Sequence, residues 1–300
     1  MLDLSIIIVS YNVKNLLREC LASIPAGADG LRAETIVIDN RSHDGTVDMV
    51  RQEYPDVTVI ESPKNGGYAY ANNIGLRWLL ARRDATSEMP RYVLLLNPDT
   101  VVPAGTLAAM VSFLDEHPEA AVAGPRLIRP DGSLDLACRR SFPSPEVSLY
   151  RMLGLSKLFP RHRRFAQYNL TYLDPNDVVE VDSVVGAFMM LRGEILDQVG
   201  LLDESFFMYG EDLDWAYRIK QRGWKVLYNG AVHAIHHKGA SSRQRSTRST
   251  IEFYRAMLTF YRKHYSHSTP LPIGWLIVAG IFAKGGLALA QNALRGITSR

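Results

Sequence analysis

Residues 4–12 read LSIIIVSYN and residues 34–46 read ETIVIDNRSHDGT. In each, a short β-branched apolar run stops at a cluster of small polar residues. An unbroken run of Ile and Val suits a strand buried on both faces, as in a parallel sheet covered by helices. Working outward, strands are expected at Leu4–Val9, Glu34–Asp39, Val57–Glu61 and Tyr92–Leu96, with helices around Val13–Ser23, Gly45–Glu53, Tyr68–Arg83 and Pro103–Glu116. This alternation predicts an α/β fold, a mostly parallel Rossmann-like sheet flanked by helices.

The polar clusters fall at the same end of each strand: Ser10-Tyr11-Asn12, then Asp39 to Thr46, then Asn65-Gly66-Gly67-Tyr68, then Asn97-Pro98-Asp99-Thr100. Any one of them is ordinary turn and helix-cap chemistry. Four at one sheet edge make a ligand crevice of the kind α/β sheets place at strand carboxyl ends. Tyr11 offers a flat face for a base, and Asp39 an acceptor for a base N–H or ribose hydroxyl. Gly66-Gly67 permits close backbone approach ahead of a helix N-terminus, where phosphate is favoured. Asp99 is a hard oxygen ligand suited to Mg2+ or Mn2+ shared with a diphosphate. Neither GxxxxGK[ST] nor GxGxxG occurs at these turns, which excludes a P-loop and a dinucleotide fingerprint.

Farther along, Val184–Leu191 reads as a buried strand, Glu211–Arg222 as a helix, Trp224–Tyr228 as a strand and Thr247–His264 as an amphipathic helix. Residues 206–215, FFMYGEDLDW, open that first helix with three carboxylates. Complementarity with the helix dipole would account for them without function. The apolar run before them points instead to a water-excluding wall that poises a carboxylate as general base. His233, His236 and His237 follow in a strand-to-loop stretch, with His236 the candidate partner of a metal-binding Asp.

The chain has 300 residues, 47% hydrophobic and 22% charged, which excludes disordered and collagen-like proteins. Its net charge of +3 hides an asymmetry: residues 1–214 carry a balance of −10 and residues 215–300 one of +13, Glu252 being the only acid there. Such a split implies an anionic partner near the C-terminal third: phosphate, a membrane surface or nucleic acid. No nucleic-acid recognition module accompanies the basic residues, so nucleic acid is set aside. Cys20 and Cys138 make no disulfide framework and read as thiols in a reducing compartment. The N-terminus lacks a basic signal-peptide region, so the catalytic part is expected in the cytoplasm. Residues 271–294, LPIGWLIVAGIFAKGGLALAQNAL, admit three readings: a spanning helix, a helix in the membrane interface, or a packed helix. The basic piece at 151–164, RMLGLSKLFPRHRR, is either a solvated face or a membrane- or pyrophosphate-facing segment.

Taken together, VSYN at 9–12, VIDNRSHDGT at 37–46, NGGYAYANN at 65–73, NPDT at 97–100, GAFMMLRGE at 186–194 and GEDLDW at 210–215 resemble the family 2 inverting glycosyltransferases of GT-A fold, over residues 4–240. Within that family the chain is most similar to the rhamnosyltransferase branch. The resemblance implies transfer of L-rhamnose from dTDP-rhamnose to a polyprenyl-diphosphate-linked or other cell-envelope glycan acceptor, at the cytoplasmic face of the membrane. It implies that Ser10, Tyr11, Asn12 and Asp39 contact the nucleoside and that Asn65, Gly67 and Asn73 shape the donor pocket. Asp99 would be the last acid of the metal motif, with His236 the late metal ligand. Asp212 would be the catalytic base, supported by Glu211. Asn97 replaces the first acid of that motif, leaving one anionic ligand fewer; the same NPD form is common in the rhamnosyl branch.

The implied organisation is a catalytic domain at 1–240, with a nucleotide-sugar half at 1–125 and an acceptor half at 126–240, followed by membrane-associating helices at 241–300. Three alternatives stand beside this reading. One is a family member using a UDP-hexose. Another is a nucleotidyltransferase, disfavoured because no early Gly-rich basic phosphate loop is present. The third is a membrane-associated scaffold, disfavoured because Asp99, Glu211 and Asp212 are all retained.

Overall fold

The computed structural model describes residues 2–237 and 247–298, with side chains as far as 294. In chain order the first elements are β1 (Leu4–Ser10), α1 (Lys14–Gly27), β2 (Ala33–Asp39), α2 (Thr46–Glu53), β3 (Thr58–Glu61), α3 (Gly67–Thr86) and β4 (Tyr92–Leu96). Next come β5 (Thr100–Val101), α4 (Thr106–Glu116), β6 (Ala120–Ile128), α5 (Pro145–Met152), α6 (Leu155–Leu158), β7 (Val178–Val181) and β8 (Phe188–Arg192). The chain closes with α7 (Ile195–Val199), α8 (Glu211–Gln221), β9 (Lys225–His236), α9 (Thr247–His264) and α10 (Leu271–Thr298).

One sheet runs through residues 4–236 in the order β3-β2-β1-β4-β8-β6-β9-β5, with β7 added beside β9. Parallel pairing carries the longest registers, β1 with β2 and β6 with β9. Antiparallel pairing enters with β8, which lies between β4 and β6. Every residue of β1 is buried, as its unbroken apolar run requires. On one face α3 lies close because Gly75 leaves room for Ile7. The expected mostly parallel sheet flanked by helices is therefore present.

Several boundaries differ for physical reasons. Helix α1 continues through Pro25 to Gly27, since Ala28 N–H still reaches the Ile24 carbonyl. The expected strand at Val184–Leu191 starts only at Phe188, because residues 184–187 turn aside to bind the neighbouring site. Strand β9 runs on to His236, well past Tyr228, and pairs with β6 again after a register shift between Pro125 and Arg126, which face Asn229 and His233. The basic piece at 151–164 is not one helix: Gly154 has φ +76° and breaks it between α5 and α6.

Both cysteines are free and buried, and burial pushes the Cys20 thiol far above its usual range. Helix α9 packs Ala256 and Phe260 against Phe206 and Leu213, so it closes over the start of α8. Asp214 reinforces this contact. It is fully buried and accepts from Arg218 Nε at 2.9 Å and His264 Nε2 at 2.7 Å, with Lys263 Nζ also at 2.7 Å.

Candidate active site

At the carboxyl ends of β1, β2 and β4 the polar clusters interlock. Asn12 takes a left-handed backbone, φ 52°, and its side chain accepts from His43 N–H at 2.7 Å while its own N–H donates to Ser42 Oγ at 2.9 Å. Asp39 is buried; Oδ2 accepts from Ser42 N–H at 2.9 Å, whereas Oδ1 has no partner among the described residues. A buried carboxylate oxygen left over in this way is suited to an incoming N–H or hydroxyl. The Ser10 hydroxyl is likewise buried and unmatched among the described residues. Tyr11 is 46% exposed, which leaves a ring face open for stacking. A cleft of about 430 Å³ opens alongside, lined by Asp39, Arg41, His43 and Thr46.

Asn65 accepts from Asn40 Nδ2 at 3.1 Å and from Gly67 N–H at 3.3 Å, so it shapes the turn that enters α3. Gly67 has φ +89°, and a side chain there would collide with the Phe207 carbonyl. Its glycine is required by the approach of the 206–210 loop, whose Phe207 carbonyl accepts from Tyr68 N–H at 2.8 Å. Asn73 departs from expectation. It is buried on α3, donates to the Leu202 carbonyl and Glu204, and accepts from Leu202 N–H. Its amide is thus committed to holding the 202–204 loop.

The turn after β4 carries Asn97 and Asp99. Strands β5 and β9 pair Thr100 with His236, and the Asp99 carbonyl accepts from His237 N–H, so this turn and the end of β9 are fixed together. His236 Nε2 lies 3.3 Å from Asp99 Oδ1, and Nδ1 lies 2.9 Å from Asp135 Oδ2. Burial lowers the His236 pKa, but Asp135 and Asp99 outweigh it and hold it at about 9. Asp135, which sequence reasoning missed, orients the imidazole so that Nε2 faces Asp99. Among the described residues no three His, Cys, Asp or Glu side chains gather as a complete metal cage. A carboxylate and an imidazole brought together on paired strands nonetheless fit a divalent ion that takes its other ligands from a diphosphate and water. His233 and His237 lie outside this pair; Thr106 donates to the His233 carbonyl.

Glu211 and Asp212 sit in the first turn of α8, after Gly210 with φ +85°. Asp212 Oδ2 accepts from Arg140 at 2.7 Å and from Gly186 N–H at 3.0 Å; both members of the ion pair are buried. Arg140 also donates to the Val184 carbonyl at 2.8 Å. Glu211 Oε2 is buried and has no partner among the described residues. Burial, then the negative charge of Asp212, pushes the Glu211 carboxyl up to about 8. Arg140 was not legible in the sequence, since it lies 72 positions from Asp212 and belongs to no short motif.

The segment 184–187 joins the two carboxylate sites. Ala187 C=O accepts from Asn97 N–H at 3.0 Å and from the Thr100 hydroxyl at 3.3 Å, while Gly186 N–H holds Asp212. Tyr68 donates its hydroxyl to the Gly186 carbonyl at 2.7 Å. Burial raises the Tyr68 pKa well above its usual value, and Glu211, Asp212 and Asp99 all add to the rise.

Of the bases that give residues 215–300 their positive balance, Lys238, Arg243 and Arg245 lie outside the described residues. Arg248 stacks over Phe207 at 4.4 Å, on the loop that leads into Glu211.

Comparison with known proteins agrees with this geometry. The family model described as glycosyl transferase family 2 matches residues 5–200. An N-acetylglucosaminyl-diphospho-decaprenol L-rhamnosyltransferase of Mycobacterium tuberculosis is 26% identical over 97% of this chain and 92% of its own length. The rhamnosyltransferase WbbL of Escherichia coli is 28% identical over 77% of this chain and 82% of its own. Among solved structures, a mannosyltransferase from Pyrobaculum calidifontis in complex with GDP-Man and Mn2+ superposes with a TM-score of 0.57 at 18% identity, covering 98% of this chain and 75% of that one. This last likeness speaks to the fold, which is of GT-A type.

Proposed function

The chain belongs to glycosyl transferase family 2, and from that premise we propose that it transfers L-rhamnose from dTDP-rhamnose to a polyprenyl-diphosphate-linked glycan at the cytoplasmic face of the membrane. The observation that carries the reading is the 184–187 segment, which ties the Asp99 turn and the Glu211–Asp212 pair into one site. Support for rhamnose and for a lipid-linked acceptor comes from what the relatives are named for.

In this mechanism the nucleoside stacks on Tyr11 and hydrogen-bonds to Asp39 Oδ1. Asp99 and His236 would hold Mg2+ or Mn2+, which supplies charge neutralisation for the departing diphosphate. Arg140 and Gly186 clamp Asp212 Oδ2, while Oδ1 accepts from Leu213 N–H at 2.7 Å and keeps its other lone pair for the acceptor hydroxyl. Oδ1 takes that proton as the hydroxyl oxygen bonds to the anomeric carbon and the diphosphate leaves from the opposite face. Glu211, protonated at neutral pH by its raised pKa, offers a hydrogen bond to the acceptor.

One observation favours a second assignment of the base. An unmatched Glu211 oxygen whose pKa is raised to about 8 suits a general base near neutral pH. With Glu211 as base, kcat rises as pH passes through about 8; no rise there would leave the role with Asp212.

The function itself is tested with dTDP-, UDP- and GDP-sugars, a divalent ion and a membrane lipid extract, following nucleotide release. Release from dTDP-rhamnose that requires the lipid is expected. Preference for a UDP-hexose would replace the donor, and release from none of them would refute the reading.

A further inference from the structure

Helix α10 runs antiparallel along α9. Gly274 faces Tyr261, Gly285 faces Tyr254, and Asn292 donates to the Thr250 hydroxyl at 2.8 Å. A third contact comes from α5: Met152 packs over Gly280, and its carbonyl accepts from Lys284 Nζ at 2.7 Å. Only this narrow seam is covered. The most apolar 18 residues within Leu271–Leu294 have a mean hydropathy of 1.8, yet only 11% of them are buried, and Trp275 is 76% exposed with Leu276, Phe282 and Leu287 also in the open. Exposed apolar surface on this scale marks an interaction site.

The α5–α6 segment, joined to α10 through Met152, extends the surface. Leu149, Leu153, Leu158 and Phe159 are exposed there. Residues 151–164 contain no acid and carry Arg151, Lys157, Arg161, Arg163 and Arg164. Arg164 is paired with Glu146, Arg151 lies over Tyr168 and Arg163 over Tyr172, so the cations available to a partner are chiefly Lys157 and Arg161. An apolar face edged by cations of one sign fits an anionic lipid surface.

The seam also decides how the helix meets lipid. To span, about 20 residues of α10 would have to enter the hydrocarbon. Its partner α9 would go with it, carrying Arg255, Arg262 and Lys263, or the whole seam would have to break. Lys263 and His264 moreover anchor α9 to the buried Asp214. We propose that α10 and the α5–α6 segment form a single in-plane docking face for an anionic bilayer, and that α10 lies on the membrane without crossing it. Helix α9, whose Ala256 packs at Gly210 just before Glu211, then sets the active site one helix diameter from the lipid headgroups. This rests on the preceding reading only for the acceptor carried by that membrane.

The test uses the full chain without donor, so it is independent of catalysis. Vesicles of phosphatidylcholine alone and of phosphatidylcholine with phosphatidylglycerol are compared by co-sedimentation, with Trp275 as a depth reporter against lipids brominated near the headgroup or near the chain end. Binding at least about tenfold tighter to the anionic vesicles is expected, weakening with salt, with the strongest quenching from the shallow bromines. The double change Leu276→Glu with Phe282→Glu should weaken binding at least about a hundredfold while the melting temperature holds. The milder Lys157→Glu with Arg161→Glu should remove the preference for anionic lipid. Quenching mainly by the deep bromines would overturn the in-plane placement. Absence of vesicle binding, or a lipid-independent dimer that shields Trp275, would overturn the membrane as partner.

Discussion

The two sides of the site handle their acids by opposite means. On the β2 side, Asp39 is held by a backbone N–H within a mesh of Asn and Ser hydrogen bonds, with no basic side chain bonded to it among the described residues. On the α8 side, Glu211 and Asp212 are buried together, and an arginine bonds to only one of them. Neutral hydrogen bonds give geometry and selectivity; buried charges give a poised proton. The difference teaches that recognition and proton transfer are separable here, and four substitutions test the separation.

Asp212→Asn should have the largest effect, a fall in kcat of about a thousandfold with donor affinity retained, measured by steady-state kinetics and donor titration. Full turnover in this variant would transfer the role of base to Glu211. Arg140→Met comes next. Leaving Asp212 buried without its cation should cost about 3 kcal/mol of stability in urea unfolding, and adding Asp212→Asn should recover part of that. Equal stability of all three proteins would show that the ion pair does not strain or secure the site.

Asp39→Asn should act on the other side alone, raising the donor Kd about tenfold and leaving kcat nearly unchanged. A matching loss in kcat would break the comparison. The fourth prediction concerns pH. Folded Glu211 keeps its proton up to about 8, whereas an unfolded glutamate, near 4.5, has already lost it. Its contribution is therefore fully present below pH 4.5 and is lost as pH rises through about 8. Glu211→Gln should flatten that decline in a melting-temperature series; an unchanged decline would show that Glu211 titrates normally.

The β2 side was the more legible in sequence, for the same reason that it differs from α8. Its strands are uninterrupted apolar runs ending at turn residues, so Ser10, Tyr11, Asp39 and Asp99 are placed by local pattern alone. Glu211 and Asp212 stood out because charges follow an aromatic run. What could not be read depends on long-range pairing. Strand β6, AAVAGPRLI, is masked by Ala, Gly and Pro, and β5 is two residues long. Residues 184–187 look like strand but bend to bind Asp212, and neither Arg140 nor Asp135 lies near its partner in sequence. The ties of Asn73 from α3 to the 202–204 loop are likewise long-range and have no local signal.

The most direct test of the central claim is the anomeric configuration of the sugar in the product, read by nuclear magnetic resonance. With donor and base on opposite faces of the reacting carbon, a single displacement gives a product of inverted configuration. Retention of the donor's configuration would contradict it.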